Sequence, residues 1–255
     1  MKKFYSLFVL TFLISFSIVA QTPQVIAHRG FWQSEGAAQN SLFALERADQ
    51  AKVYGSEFDV HMTEDGILVI FHDNKVNEIE IQKVPYAAIK DIVLSNGERI
   101  PTLREYLEAA KHTTVQLIFE LKPHATPERN RQAAQASVEL IREKNLQHHT
   151  EYITFNLDAG KELIRLEPDA DVYYLNGDLN PQELKELGFA GMDYHYNVLK
   201  ENNQWIKDAK MLGLGINVWT VNDTTLIREM VNYGVDFITT DIPADAIKFI
   251  SIMNK

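Results

Sequence analysis

The 255-residue chain contains no cysteine, and this absence excludes disulfide bonds, thiol nucleophiles and thiolate metal sites. Basic residues are also scarce relative to acidic ones, with 25 Lys and Arg against 35 Asp and Glu and a formal net charge of −10. A surface of that sign argues against a nucleic acid or an anionic membrane as a partner held by bulk charge. It leaves room for a small anionic substrate held by a local cation.

Long apolar runs are missing except at the N-terminus. Two lysines, Lys2 and Lys3, precede an almost wholly apolar run over residues 4–19, and the small residue Ala20 follows it. This pattern predicts a signal peptide over residues 1–20, cleaved before the polar stretch that begins at Gln21. An uncleaved membrane anchor is the alternative, because the run is near the lower length limit for spanning a bilayer. We expect a secreted or periplasmic protein without a stable membrane anchor after cleavage.

The remaining chain lacks any composition break, so residues 21–255 are predicted to form a single domain. Short apolar segments alternate with helical segments throughout. The eight predicted strands cover residues 25–27, 56–60, 115–119, 152–155, 172–175, 191–194, 215–220 and 235–239. Repeated βα units indicate a parallel sheet, and eight of them fit a (β/α)8 TIM barrel. An open doubly wound sheet would want a glycine-rich phosphate loop after the first strand, and His28-Arg29-Gly30 is not one.

One stretch departs from the regular alternation. Glu57 and Asp59 share one face of the second strand, because side chains alternate along a strand. Asp65-Gly66 predicts a hairpin turn, and the apolar run over residues 67–71 brings His72 back toward the two carboxylates. Carboxylates held close together need a positive group between them. The stretch therefore suggests a metal site with an acid/base residue beside it.

An irregular polar insertion is predicted after this hairpin, over residues 74–99, with at most one short helix near residues 85–92. Elsewhere, capping residues mark where helices begin. The predicted helix starts lie at Asn40-Ser41, Asp158, Asn180-Pro181 and Asp223.

Polar side chains collect where the predicted strands end, which is the edge that carries the active site in such barrels. They are His28, Arg29, Glu57, Asp59, Glu120, Lys122, Tyr194, His195, Trp219 and Asp241. Taken singly, each has an ordinary explanation, such as a surface arginine or, for Trp219, a packing role. His61 shares the face of Asp59 but lies further along, which favours a structural role. Together, three carboxylates, several imidazoles and two fixed cations are too polar for a core and indicate a site.

At this point the chain closely resembles the glycerophosphodiester phosphodiesterase family over about residues 24–250. The motifs that carry the resemblance are His28-Arg29-Gly30, Glu57-x-Asp59, Thr63-x-Asp65-Gly66, His72-Asp73, Glu120-x-Lys122, Trp219-Thr220-Val221-Asn222 and Thr240-Asp241 with Pro243. The resemblance implies a (β/α)8 barrel with a small insertion after the second unit, where residues 74–99 lie. It implies hydrolysis of glycerophosphodiesters to glycerol 3-phosphate and an alcohol.

The resemblance also implies roles for single residues. Glu57, Asp59 and Glu120 would be the ligands of one divalent cation, and His28 and His72 the general acid/base pair. Arg29 and Lys122 would hold the phosphate. Trp219, at the end of the seventh predicted strand, is in addition the candidate for contact with the substrate. Ligation by carboxylates alone favours a hard cation, Ca²⁺ or Mg²⁺, over zinc.

Two other functions stay open from the sequence. A related phospholipase, C- or D-like, would cleave intact phospholipid or sphingolipid head groups and would need an apolar rim, for which Phe31-Trp32 is the only candidate. A non-catalytic binding barrel would keep the fold without turnover. The head-group alcohol is also open, and the candidates for lining its pocket are Phe31, Asn156, Tyr174 and Tyr194.

One departure from the family pattern concerns the segment after the first histidine. The family usually has Pro-Glu-Asn-Thr there, and this chain has Ala38-Gln39-Asn40-Ser41. The neutral Gln39 thus replaces an acid. If that glutamate tunes a histidine or the metal in relatives, metal affinity or substrate choice differs in this chain.

Overall fold

The structure, a computed structural model, describes residues 22–253, so the predicted signal peptide lies outside the described residues. Within this range the strands are β1 (Gln24–Ala27), β2 (Gly55–Met62), β3 (Leu68–Ile70), β4 (Lys75–Val76), β5 (Ile79–Glu80), β6 (Gln116–Leu121), β7 (Thr150–Thr154), β8 (Val172–Tyr174), β9 (Gly191–His195), β10 (Gly215–Trp219) and β11 (Phe237–Thr240). The helices are α1 (Leu42–Gln50), α2 (Leu103–Ala110), α3 (Pro127–Glu143), α4 (Leu157–Leu166), α5 (Pro181–Leu187), α6 (Tyr196–Glu201), α7 (Gln204–Met211), α8 (Thr224–Tyr233) and α9 (Pro243–Met253). None of these helices combines the length and apolarity needed to cross a membrane.

Eight of the strands are parallel and form a closed barrel. Their order around the barrel is β1, β11, β10, β9, β8, β7, β6 and β2, and β1 pairs with β2 to complete the circle. A large apolar core lies between the strands and the surrounding helices. A smaller one inside the barrel contains Ile26, Ile118, Ile153, Tyr173 and Leu175. The (β/α)8 TIM barrel predicted from the sequence is confirmed.

The predicted hairpin is present and extends β2 beyond the barrel. Strand β3 runs antiparallel to the end of β2, with Val60 opposite Ile70. At the turn, the Thr63 hydroxyl donates to the Asp65 carboxylate at 2.6 Å. The Phe71 N–H donates to the carbonyl of Asp59 at 3.0 Å, so the residue that follows returns to the barrel mouth.

The insertion after the hairpin is a compact irregular segment. It holds the ribbon formed by β4 and β5 and two 3-10 turns, Ile81–Lys83 and Tyr86–Ala88. Its apolar side chains form a small core with Val69 and Ile100. The insertion thus packs against the outside of the hairpin.

Most predicted helix starts are confirmed, and the exceptions have local causes. The side chains of Asp223 and Asn180 cap α8 and α5 as predicted. The prediction of Asp158 as a cap is wrong, because α4 begins at Leu157 and the Asn156 side chain, two residues before Asp158, accepts the Ala159 N–H. Helix α6 was not predicted, since its six residues are too few to show a helical apolar period.

Gly30 sets the path of the chain from β1 into the site. It has φ +75°, and an added Cβ would lie 2.7 Å from Ala44 Cβ and 2.8 Å from Ala44 C. A left-handed L-residue costs on the order of 1–2 kcal/mol and an overpacked contact on the order of 1–3 kcal/mol, so Gly30→Ala should lower the free energy of unfolding by about 2–5 kcal/mol. Urea denaturation measures this. Gly97→Ala is the matched control, because Gly97 has φ +88° but nothing within 4 Å of the added Cβ, and an equal loss in both variants would contradict the packing argument.

Candidate active site

Three carboxylates meet at the C-terminal mouth of the barrel. Glu57 and Asp59 lie on β2 and Glu120 lies on β6, and the strand register places Asp59 opposite Glu120. All three side chains are buried, and one carboxylate oxygen from each lies within 4.8 Å of the others. Glu57 Oε2 accepts the Arg29 N–H at 2.7 Å, whereas Glu57 Oε1 is buried without a hydrogen-bond partner among residues 22–253.

The electrostatics of this acidic group favour the uptake of a cation. Burial and the neighbouring charges of Asp59 and Glu120 raise the pKa of Glu57 well above its usual value. Burial and the charge of Asp59 raise the pKa of Glu120 to about 7. Burial would raise the pKa of Asp59 as well, but the charges of Lys122 and His72 outweigh it and lower this pKa to about 2. Burial and mutual repulsion make the fully ionised form of these carboxylates unfavourable. A hard divalent cation bound to their oxygens would offset that cost.

Lys122 contacts the acids directly. Its Nζ lies 3.1 Å from Asp59 Oδ1 and 2.8 Å from Glu120 Oε1. Burial opposes the charged form of this lysine, but the charges of Glu120 and Asp59 raise its pKa above the usual value. The structure therefore places the predicted phosphate-binding lysine among the carboxylates and not along the wall of the neighbouring cavity.

Arg29 follows β1 in a left-handed conformation with φ 56°. This turn directs its backbone N–H to Glu57 and its guanidinium to Gln39, whose amide oxygen accepts from Nη1 at 2.8 Å. Gln39 is the residue that replaces the usual acid of the family pattern. The neutral Gln39 holds one end of the guanidinium, while Arg29 Nε lies 3.9 Å from Asp59 Oδ2, so the cation faces both the acids and the cavity.

Asn40 is a site residue whose role was not predicted. The sequence suggested a helix cap at Asn40-Ser41, and the structure gives that role to Ser41. The buried Asn40 side chain instead donates from Nδ2 to Asp59 Oδ2 at 2.8 Å and accepts the Asp59 N–H at 3.2 Å. Asn40 thereby fixes the orientation of one of the three acids. Its φ is 62°, a conformation that asparagine tolerates better than most residues, and this turn brings the side chain to Asp59.

His28 is oriented by a part-buried carboxylate, Asp241, which follows the neighbouring strand β11. Its Nδ1 lies 2.8 Å from Asp241 Oδ1, and this carboxylate also accepts from Trp32 Nε1 at 3.0 Å and Asn222 Nδ2 at 2.6 Å. Burial alone would raise the pKa of Asp241, but the hydrogen bond and charge of His28 outweigh it and lower this pKa to about 2. Because an ionised carboxylate only accepts, His28 Nδ1 carries a proton and Nε2 is left for a ligand.

His72 enters the mouth from the hairpin and is the more exposed histidine, with 36% of its side chain accessible. Its Nδ1 lies 2.6 Å from Asp73 Oδ1. Burial and the charges of Lys122 and Arg29 lower the pKa of His72, although Asp59 acts in the opposite direction. Behind it, the buried His61 contacts the carbonyl oxygen of His72 at 3.4 Å and accepts from Gln82 Nε2 at 2.9 Å.

A cavity of about 90 Å³ joins these groups. It is lined by His28, Arg29, Glu57, His72, Glu120, Ile153, Phe155, Leu175, Asp193, Trp219, Thr220 and Thr239. Six of the eight predicted site residues lie on its wall. The other two, Asp59 and Lys122, lie behind the wall, where Lys122 contacts Asp59 and Glu120. A larger groove of about 450 Å³ lies elsewhere on the barrel, and its lining includes Arg104, Glu139 and Glu143 but no histidine.

The predicted alcohol-pocket candidates do not line this cavity. Tyr194 points outward, where its hydroxyl donates to Leu179 O, and Tyr174 packs on Phe189 under the helices. Their neighbours face inward instead, because side chains alternate along a strand. Phe155 and Leu175 are the residues found on the cavity wall. Asp193, next to Tyr194, was also missed for this reason.

The fold and the site define a class of protein: a TIM barrel with a buried group of three acids that could bind a cation, and with two histidines, at the C-terminal mouth of the barrel. The sequence model of the glycerophosphoryl diester phosphodiesterase family matches residues 28–245. The chain belongs to this family and is a phosphoric diester hydrolase.

Solved structures and characterised relatives agree with this assignment. The crystal structure of a glycerophosphodiester phosphodiesterase from Parabacteroides distasonis is 54% identical, with a TM-score of 0.91 over 92% of this chain and 99% of that one. An Oleispira antarctica phosphodiesterase, solved in complex with the product sn-glycerol-3-phosphate, is 29% identical, with a TM-score of 0.77 over 90% of this chain and 97% of that one. A glycerophosphodiester phosphodiesterase from Caldanaerobacter subterraneus is 27% identical over 89% of this chain and 97% of its own length.

Proposed function

We propose that this protein hydrolyses glycerophosphodiesters to glycerol 3-phosphate and an alcohol, with one divalent cation at Glu57, Asp59 and Glu120 and with His28 and His72 as general acid and base. The observation that carries the proposal is that the group of three buried acids and both histidines meet at one cavity, with Glu57, Glu120, His28 and His72 on its wall and Asp59 behind it. The complex of the Oleispira antarctica relative with sn-glycerol-3-phosphate supports the choice of substrate.

The residues present fit a hard cation. The three side chains offer oxygen ligands only, and Glu57 Oε1 is a buried acceptor without a partner. Calcium and magnesium both prefer such ligands. When bound, the cation would neutralise the phosphate and stabilise the charge that develops on it in the transition state. Arg29, on the wall of the same cavity, would bind a phosphate oxygen as a second positive group.

The two histidines are placed for opposite proton transfers. The lowered pKa of His72 keeps its imidazole neutral near pH 7, so that it can accept a proton from the attacking hydroxyl group. His28 donates from Nδ1 to Asp241 and presents Nε2 to the cavity, where a proton can be passed to the leaving alkoxide. Asp241 would stabilise the imidazolium form of His28 while it holds that proton.

Metal binding should weaken as the pH falls. The pKa of Glu120 is raised to about 7, so a rising fraction of this ligand holds a proton below that pH, and the cation must displace it. Competition with this one proton weakens the apparent affinity about tenfold between pH 8 and pH 6, and a proton on Glu57, whose pKa is also raised, would make the change larger. Isothermal titration of the metal-free protein with Ca²⁺ or Mg²⁺ measures this change. An affinity that stays constant over this range would show that Glu120 is already ionised or does not bind the cation.

A panel of glycerophosphodiesters tests the substrate. The purified protein is incubated with glycerophosphocholine, glycerophosphoethanolamine, glycerophosphoinositol and diglycerophosphate, and glycerol 3-phosphate is measured by an enzyme-coupled assay. We expect release of glycerol 3-phosphate from at least one member. Cleavage of intact phosphatidylcholine vesicles without cleavage of any member of the panel would contradict the proposal and indicate the phospholipase instead.

We also propose that the protein is exported after cleavage following Ala20, a prediction that rests on the apolar run over residues 4–19 and the lysines before it. The intact mass of the protein purified from a secreting host tests it. A mass that includes residues 1–20 would contradict it.

A further inference from the structure

Asp193 is a buried acid in the active-site cavity that the proposed mechanism does not use. It lies on β9, faces the barrel interior and is 1% exposed. Its Oδ1 is buried and finds no hydrogen-bond partner in the part of the chain that the structure describes. A buried polar atom without a partner is costly, so its presence on a cavity wall indicates a group that a ligand satisfies.

The surroundings of Asp193 hold it in place. Its backbone carbonyl accepts from Trp219 Nε1 at 2.9 Å. The neighbouring Asn217 is fixed in turn by Thr239, to which its Nδ2 donates at 2.9 Å. These contacts place the carboxyl group on a rigid strand and not on a loop, which is the arrangement that specific recognition requires.

The character of the carboxyl group points to a neutral ligand. Burial raises the pKa of Asp193 well above its usual value, with a hydrogen bond from Asn217 opposing the shift. A protonated carboxyl both donates and accepts a hydrogen bond, which matches a hydroxyl group. A quaternary ammonium group offers no hydrogen-bond donor and would prefer a charged carboxylate.

The rest of the cavity limits the size of the ligand. Its volume of about 90 Å³ is close to that of three water molecules, at roughly 30 Å³ each, so only a small group fits beside Asp193. Apolar side chains from Ile153, Phe155 and Leu175 line the same cavity and can cover the C–H edges of such a group. Asp193 and Thr239 are buried, whereas His72 is part exposed, so the cavity has a buried end and a solvent end.

We propose that Asp193 hydrogen-bonds a hydroxyl group of the glycerol arm of the substrate, so that the buried end of the cavity selects a short polyol and the leaving alcohol lies toward solvent. This inference rests on the proposed function, because it assigns one arm of that substrate. It makes Asp193 a specificity-determining residue and predicts that a ligand without the glycerol hydroxyl binds less tightly.

Binding of three phosphomonoesters tests the inference without turnover. Dissociation constants are measured by calorimetry, with Ca²⁺ or Mg²⁺ present, for sn-glycerol 3-phosphate, n-propyl phosphate and phosphocholine. We expect the wild-type protein to bind sn-glycerol 3-phosphate about ten- to a hundredfold more tightly than n-propyl phosphate, as expected for one or two hydrogen bonds. In Asp193→Leu this preference should fall to about twofold or less, and Asp193→Asn, which keeps a donor and an acceptor, should retain most of it.

A matched variant separates recognition from general damage. Asp236→Leu also removes a partly buried carboxyl, one that accepts the Ile216 N–H before β11, away from the cavity. It should lower the melting temperature without changing the preference for the glycerol arm. An unchanged preference in Asp193→Leu would overturn the inference, as would phosphocholine as the tightest wild-type ligand. A wild-type preference below twofold would also overturn it, even if Asp193→Leu fails to fold.

The hydrolysis assay keeps the two proposals distinguishable. Release of glycerol 3-phosphate without a binding preference for the glycerol arm would support the proposed function and contradict the role of Asp193. No release of glycerol 3-phosphate would contradict the proposed function, whichever phosphomonoester the protein binds.

Discussion

Glu120→Gln is expected to abolish tight binding of the divalent cation and to lower kcat for a glycerophosphodiester at least about a thousandfold. The amide keeps the volume of the side chain but removes one of three negative charges from a cluster whose oxygens lie within 4.8 Å of one another. A cation that neutralises the phosphate in the transition state supplies several kcal/mol, and each 1.36 kcal/mol corresponds to a factor of ten in rate. Steady-state kinetics and metal calorimetry on the same preparation measure both effects.

Glu151→Gln is the control for this variant. Glu151 lies on β7, is as buried as Glu120, and bonds the Tyr54 hydroxyl, so its replacement repeats the chemical change outside the cavity. Glu151→Gln should leave the metal affinity and kcat within about threefold of the wild type, as expected for a substitution outside the active site. Full metal affinity in Glu120→Gln would remove Glu120 from the ligand set.

His28→Ala is expected to lower kcat by about a hundred- to ten-thousandfold, the range for the loss of a positioned general acid or base. The hydrogen bond to Asp241 at 2.8 Å orients the imidazole, so Asp241→Asn should also reduce kcat, by a smaller factor. Metal affinity should remain unchanged in both variants, because neither side chain belongs to the group of three acids. Single-turnover kinetics measures the rate of the chemical step, and calorimetry measures the metal affinity.

The exposed His112, between α2 and β6, provides the control for His28→Ala. His112→Ala removes an imidazole from the surface and should leave kcat unchanged. A substrate with an activated leaving group, such as the p-nitrophenyl diester of glycerol 3-phosphate, tests the role of His28 as general acid, because p-nitrophenolate leaves without being protonated. If His28 protonates the leaving alkoxide, His28→Ala should retain much more activity on that substrate, and an equal loss on both substrates would contradict the assignment as general acid.

The barrel could be predicted from the sequence because its pattern is local and repeated. Each buried strand is short and apolar, and the carboxyl ends of parallel strands must meet at one edge. His28, Glu57 and Glu120 could therefore be placed at one mouth before any distance was known. The hairpin followed from Asp65-Gly66 with the apolar run after it. These features depend on neighbours in the chain and on one general rule of topology.

Other features depend on contacts between distant residues, which periodicity does not encode. Lys122 follows Glu120 by two positions on the same strand face, but its contact with Asp59 depends on the pairing of β2 with β6. The role of Asn40 depends on a left-handed turn that brings it to Asp59. Asp193 lies on a strand with a weak pattern, and only the register shows that it faces the cavity and not the helices.

The central claim is that the acidic group holds a cation without which the phosphodiester is not cleaved. Its most direct test is glycerol 3-phosphate release by the wild-type protein before EDTA treatment, after it, and after restoring Ca²⁺, Mg²⁺ or Mn²⁺ in turn. We predict loss of at least about 99% of the activity on chelation and full recovery with at least one of these ions at near-stoichiometric amounts. Undiminished release of glycerol 3-phosphate from the fully chelated protein would contradict the account.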